Sequence, residues 1–154
     1  MARKREFLRV RKANMLKIDK DCFVDAGLNA QYTRTVIRTC GKYGIEVRSI
    51  RCSKSRHGLH FYIRIRPSLE PEIANNLQYL LGDDAKRVAF NKARIESGVT
   101  EWNKLFERPG ASLETIYQKY SINGHKSRIE VGSYRFDRFL ETSPSRPSAQ
   151  SSPV

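Results

Sequence analysis

Apolar and polar positions alternate in two stretches of the chain and recur at helical spacing between and after them. From Met15 to Val24, Leu16, Ile18, Cys22 and Val24 share one face of an extended segment, and Lys17, Asp19, Asp21 and Phe23 share the other. Asp25-Ala-Gly-Leu breaks this strand, and Asn29 stands where it would cap a helix running to about Tyr43. The apolar stripe of that helix is Tyr32, Val36, Ile37, Cys40 and Tyr43, and Gly44 fits a left-handed cap at its end. Ile45–Cys52 reads as a strand whose phase slips between Val47 and Ile50, as a bulge would produce. A polar connector, Ser53–Gly58, leads into the clearest strand: Leu59, Phe61, Ile63 and Ile65 alternate with His60, Tyr62, Arg64 and Arg66 before Pro67 ends it.

Ser68 is placed to cap a helix carrying Leu69, Ile73, Leu77, Leu80 and Leu81, and Asp83 a further one carrying Val88, Ala89 and Ile95. Glu101–Phe106 reads as a helical turn docked on the core through Trp102, Leu105 and Phe106, Leu113–Tyr120 as helix and Arg128–Phe136 as extended chain. The order strand, helix, strand, strand, helix predicts an α+β fold. Its expected form is an RRM-like or ferredoxin-like antiparallel sheet with helices on one face and the other face free for a ligand.

Charge narrows the partner. Lys plus Arg outnumber Asp plus Glu by 29 to 16 over 154 residues, a net charge of +13. Such an excess repels itself in a compact chain, and a polyanion offsets it. Nucleic acid comes first, because neutralised phosphates release condensed counterions; an anionic membrane surface and plain solubility are the alternatives. Arg3, Lys4, Arg5, Arg9, Arg11 and Lys12 make residues 1–14 a candidate basic arm. Residues 15–141 form the expected single domain, and the Ser/Pro-rich stretch 142–154 reads as a disordered tail. No apolar run approaches the ~20 residues that cross a bilayer. The N-terminus carries no apolar secretory segment, so an intracellular, cytoplasmic protein without a membrane partner is expected. Cys22, Cys40 and Cys52 are odd in number and widely spaced, so neither a zinc site nor a disulfide framework is expected.

Two clusters carry candidate chemistry. Asp19 and Asp21, two apart on a strand, point the same way and can bridge Mg²⁺ or Mn²⁺; an exposed strand end pairing with Lys17 and Lys20 is the plainer reading. Ser53, Lys54, Ser55, Arg56 and Gly58 precede His60, and hydroxyls, cations and a glycine in one loop suit a phosphate. Tyr62 can then stack on a base beside Arg64 and Arg66, although an ordinary basic hairpin has the same composition. His57 and His60 lack the glutamate and helix of a zinc protease motif. Tyr117 and Tyr120 fit a helix stripe better than a nucleophile pair, and Trp102 fits a core position better than a base platform.

Taken together, Leu16-Lys-Ile-Asp-Lys-Asp21 and Ser53-Lys-Ser-Arg-His-Gly-Leu-His60-Phe-Tyr-Ile resemble the archaeo-eukaryotic primase superfamily, the primase-polymerase catalytic core. The resemblance covers roughly Leu16–Arg66. It implies that Asp19 and Asp21 hold catalytic Mg²⁺ or Mn²⁺, that His60 contacts the phosphates of a nucleoside triphosphate, and that Ser53 or Ser55 lines the same pocket. Metal-dependent nucleotidyl transfer in DNA replication, in a viral or mobile-element setting, is the implied activity. The family's third carboxylate has no clear counterpart: the aligned stretch offers Asn91, with Phe136-Asp137, Asp83 and Asp84 as substitutes. A catalytically inactive single-stranded DNA- or RNA-binding accessory protein is the alternative expectation.

Overall fold

The computed structural model describes residues 10–21, 26–55, 58–107, 109–122 and 125–129. The alternating segment that begins at Leu59 becomes β3 (Leu59–Leu69), with Leu59, Phe61, Ile63 and Ile65 buried. β1 (Ala13–Lys20) and β2 (Glu46–Lys54) flank it, both antiparallel, and β4 (Glu114–Ile122) and β5 (His125–Ile129) extend the sheet beyond β2. The strand order is β1-β3-β2-β4-β5. Three helices complete the α+β fold: α1 (Ala26–Lys42), α2 (Pro71–Leu80) and α3 (Ala85–Glu96). α1 packs on β2, α2 on β1, and α3 on α2.

Leu16, Ile18, Ile50, Cys52, Phe61 and Ile63 pair across the central strands and form the core with Val36 and Cys40 of α1 and Leu77 of α2. Tyr32 packs its ring 5.0 Å from that of Phe61 and donates its hydroxyl to the Leu81 carbonyl at 2.6 Å, tying α1 to the end of α2. The expected bulge is present as a register shift between Val47 and Ser49, and it lets both Val47 and Ile50 face inward. Gly44 closes α1 with φ +72°, a conformation that favours glycine. Cys40 and Cys52 are buried free thiols; burial pushes Cys40 up to about 11 and Cys52 upward as well.

Several expectations need correction. The ferredoxin-like strand order fails at the fourth strand: β4 pairs with β2, and β1 is an edge strand. The reason is visible along β1, whose outer backbone groups are taken by side chains. Lys17 N–H donates to Gln78 Oε1 (2.9 Å), Asp19 N–H to Asp83 Oδ1 (2.8 Å), and Arg87 Nη1 donates to the Lys17 carbonyl (2.9 Å). These groups stand in for a neighbouring strand and close the edge to pairing. Leu113–Tyr120 is strand rather than helix, because Thr115, Ile116 and Tyr117 favour a pleated surface over the helical spacing of the tyrosines. β3 runs through Pro67 to Leu69, which pairs with Ala13, so Ser68 lies in a strand and α2 instead starts with Pro71 at its first turn. The cap of α3 is Asp84, which accepts from Arg87 N–H, and not Asp83. Asn29 lies inside α1, buried, with its carbonyl accepting from Thr33 Oγ1. Tyr43, Ile73, Leu80, Ala89 and Phe106 are exposed, not in the core. The segment 102–107 has no helical turn, although Trp102 is buried as expected.

Ala13 and Asn14, expected in the basic arm, belong to β1. Residues 1–9, Cys22, Phe23, Val24, Arg56, His57, Asp137 and the tail 142–154 lie outside the described residues.

Candidate functional site

The sheet has one apolar and one polar face. Antiparallel register sets Asp19 opposite His60 and His60 opposite Ser53; one step along, Lys17, Tyr62 and Arg51 stand in a second row. Residues directly opposite one another share a face, so these rows and Arg64 and Arg66 of β3 make up the polar side. Among the described residues, this side is covered at the Asp19–His60–Ser53 end. There, Glu107, at the end of the irregular segment that follows α3, lies over the first row.

A single carboxylate oxygen gathers three donors. Glu107 Oε1 accepts from Ser53 Oγ at 2.6 Å, from His60 Nδ1 at 2.8 Å and from the Tyr62 hydroxyl. The other His60 nitrogen, Nε2, lies 3.4 Å from Asp19 Oδ1, close enough for an ion pair, while that oxygen has no hydrogen-bond partner. Ser55 Oγ and Glu107 Oε2 are likewise buried without a hydrogen-bond partner among the described residues.

The electrostatics follow from this crowding. Burial on its own would lower the His60 pKa, but the Asp19 and Glu107 carboxylates on its two sides outweigh burial and raise it. Burial would raise Glu107, yet hydrogen bonds from Ser53, Tyr62 and His60 hold it below the ordinary value. Burial and the Glu107 charge keep the Tyr62 hydroxyl protonated well above its usual range. His60 therefore contributes stability that is complete below its ordinary 6.5 and is lost as pH rises through its raised folded value. Glu107 contributes stability that is complete above its ordinary 4.5 and is lost as pH falls through its lowered folded value. The clamp is strongest between those two pH values. Urea unfolding midpoints should fall as pH is raised past the His60 transition, and His60→Gln should flatten that slope; an unchanged slope would contradict the pairing.

The sequence-derived residues divide accordingly. Asp19, Ser53, His60 and Tyr62 come together, joined by Glu107. Lys54, Ser55 and Gly58 are buried, Lys54 opposite Leu59 and so out of phase with the cluster, and Ser55 N–H donates to the Gly58 carbonyl at 3.0 Å. Asp21 lies past the end of β1 and is exposed. Arg11 and Lys12 are exposed, Lys12 within 3.8 Å of Glu70; Arg3, Lys4, Arg5 and Arg9 lie outside the described residues.

None of the described stand-ins for a third carboxylate converges with Asp19 and Asp21. Asn91 is buried in α3 against Asn75 and Arg94, Asp83 is held by the β1 backbone and Arg87, and Asp84 caps α3. Among the described residues no three His, Cys, Asp or Glu side chains are arranged to hold a metal. Glu107 was missed because it sits in an irregular segment, 47 positions from His60, with no periodic pattern to place it. Its one sequence signal is the neighbouring Trp102, which anchors the segment.

Beside this cluster a cleft of about 300 Å³ is bordered by Asp19, His60 and Asp84, by Lys86, Arg94 and Lys104, and by Phe90 and Phe106. A second groove, about 610 Å³, runs between α1 and the β2–β4 ends and is bordered by Arg34, Arg38 and Lys119. Among the described residues no helix is long and apolar enough to cross a membrane. Comparison with protein-family models, curated proteins and solved structures gives no match. The chemistry of the polar sheet face is therefore what points to function.

Proposed function

We propose that this protein binds single-stranded nucleic acid, DNA or RNA, on the polar face of its sheet. The observation that carries the reading is the placement of Arg51, Arg64 and Arg66. All three are exposed on the same face around Tyr62, and none is ion-paired to a described residue. Arginines spread over an open sheet suit a phosphate chain that must be followed along its length. Lys17, half-buried in the same face, adds to the positive field. The measurement is anisotropy of a labelled single-stranded oligonucleotide across a salt series. Log affinity should fall linearly with log salt, by about 0.7 for each phosphate neutralised. No binding at low salt, or binding indifferent to salt, would overturn the reading.

One observation favours a second reading, nucleotidyl transfer of the primase type. Asp19 and His60 stand opposite each other on neighbouring strands, and Asp19 Oδ1 is an acceptor without a hydrogen-bond partner among the described residues. In that reading Asp19 and Asp21 hold Mg²⁺ or Mn²⁺, which would supply charge stabilisation to a leaving pyrophosphate. His60 would bind the phosphates of a nucleoside triphosphate once Glu107 yields Nδ1. Nucleotide incorporation by the wild type that is lost in Asp19→Ala/Asp21→Ala would establish it. Retardation of the strand without extension leaves the binding reading alone.

A further inference from the structure

We infer that the cleft beside Asp19 receives a single unpaired base of the bound strand, stacked on Phe90 and Phe106. This rests on the nucleic-acid reading and adds to it a specific base pocket.

The starting point is an inverted helix. α3 buries Arg87 and Asn91 and leaves Phe90 63% exposed. Its packing on α2 is polar: Asn75 Nδ2 donates to the Val88 carbonyl at 3.0 Å, and Asn91 Nδ2 donates to Asn75 Oδ1 at 3.2 Å. Core formation therefore does not account for Phe90. The segment after α3 exposes a second ring: Trp102 is buried and anchors the chain, whereas Phe106, four residues on, is 78% exposed. Two exposed aromatic rings on consecutive elements, the first opposite a buried polar side, are the informative kind of exception to apolar burial.

Both phenylalanines border one cleft, which also carries the cations Lys86, Arg94 and Lys104 and the carboxylates Asp19 and Asp84. The Arg94 guanidinium lies 6.0 Å from the Phe90 ring centroid. Exposed aromatic rings with cations close by complement a flat π-system carried on a phosphate chain. The volume, about 300 Å³, is enough for a base and its sugar. The cations Lys86, Arg94 and Lys104 suit the phosphates on either side of that base.

The test compares two single strands of equal length: one intact, with a fluorescent purine analogue, and one with abasic sites, which keeps the phosphates and lacks the bases. Phe90→Ala and Phe106→Ala should each weaken the intact strand roughly tenfold or more. Both should leave the abasic strand unchanged and abolish quenching of the purine analogue. Phe90→Tyr, which keeps the ring, should retain both affinity and quenching. Both phenylalanines are exposed, so the alanine variants are expected to fold. Wild-type affinity and quenching in both alanine variants would sink the base pocket; if Arg64→Ala/Arg66→Ala still weakened binding, the sheet-face reading would survive. Absence of salt-dependent binding by the wild type would remove both.

Discussion

Asp83→Ala is expected to lower the unfolding free energy by about 3–5 kcal/mol, the range seen when one partner of a buried ion pair is removed. Its side chain is completely buried and serves several donors: Asp19 N–H at 2.8 Å, Arg87 Nη1 at 2.6 Å and Asp84 N–H at 3.0 Å. Burial raises the Asp83 pKa in spite of Arg87 and the backbone donors, so the attraction does not fully repay desolvation. The loss comes instead from what remains. Arg87, with a side chain 8% exposed, is left with a buried charge, and the edge of β1 loses an acceptor. Asp84→Ala, which removes only a helix cap at 3.3 Å, should cost about 1 kcal/mol. Urea denaturation of the two variants decides the order. Equal losses, or a larger loss for Asp84→Ala, would show that Asp83 does not hold the β1 edge.

That contrast also shows where sequence reasoning stops. Alternation placed β3 from Leu59 to Arg66, β1 from Met15 to Lys20 and β2 from Glu46 to Cys52 correctly, because strong two-residue periodicity reports a sheet with one apolar side. The phase slip in β2 was legible for the same reason, as two inward positions three residues apart, Val47 and Ile50, need a bulge. Asp83 and Asp84 were not separable: both precede a helix, and only the reach of Asp83 to a strand 64 positions away removes it from the cap. The fourth strand was read as a helix because Leu113, Tyr117 and Tyr120 have helical spacing, and its pairing with β2 depends on β1 being closed by side chains that no local pattern reveals.

The second large effect concerns binding. Replacing Arg51, Arg64 and Arg66 together by Ala should lower the salt slope for single strands by about 2, from roughly 0.7 per lost phosphate contact, and weaken affinity at low salt by tenfold or more. All three are exposed, on central strands whose other face carries the core, so the fold should tolerate the change. The loss should be similar for different base sequences, since arginines that hold phosphates carry no base readout.

The site was partly legible. Asp19, His60, Ser53 and Tyr62 fell on one face because each sits at the right parity of a strand, and the register brings them into two rows. The carboxylate that joins them was not, since Glu107 arrives from an irregular segment positioned by Trp102 and by Asn103, which meets Gln78 and Arg87. Phe90 was hidden for a different reason. An apolar residue on a helix is read as core by default, and only the burial of Arg87 and Asn91 shows that α3 presents its polar side inward.

The central claim is that the sheet face, and not net charge alone, makes the contact. The most direct measurement pits Arg51→Ala/Arg64→Ala/Arg66→Ala against Arg34→Ala/Arg38→Ala/Lys42→Ala, which removes the same charge from exposed positions on α1. Both are titrated with one labelled single strand across the same salt series. The sheet-face variant should lose affinity and salt slope while the helix-face variant stays close to wild type. Equal losses in the two, or a loss confined to the helix-face variant, would contradict the assignment of the interface.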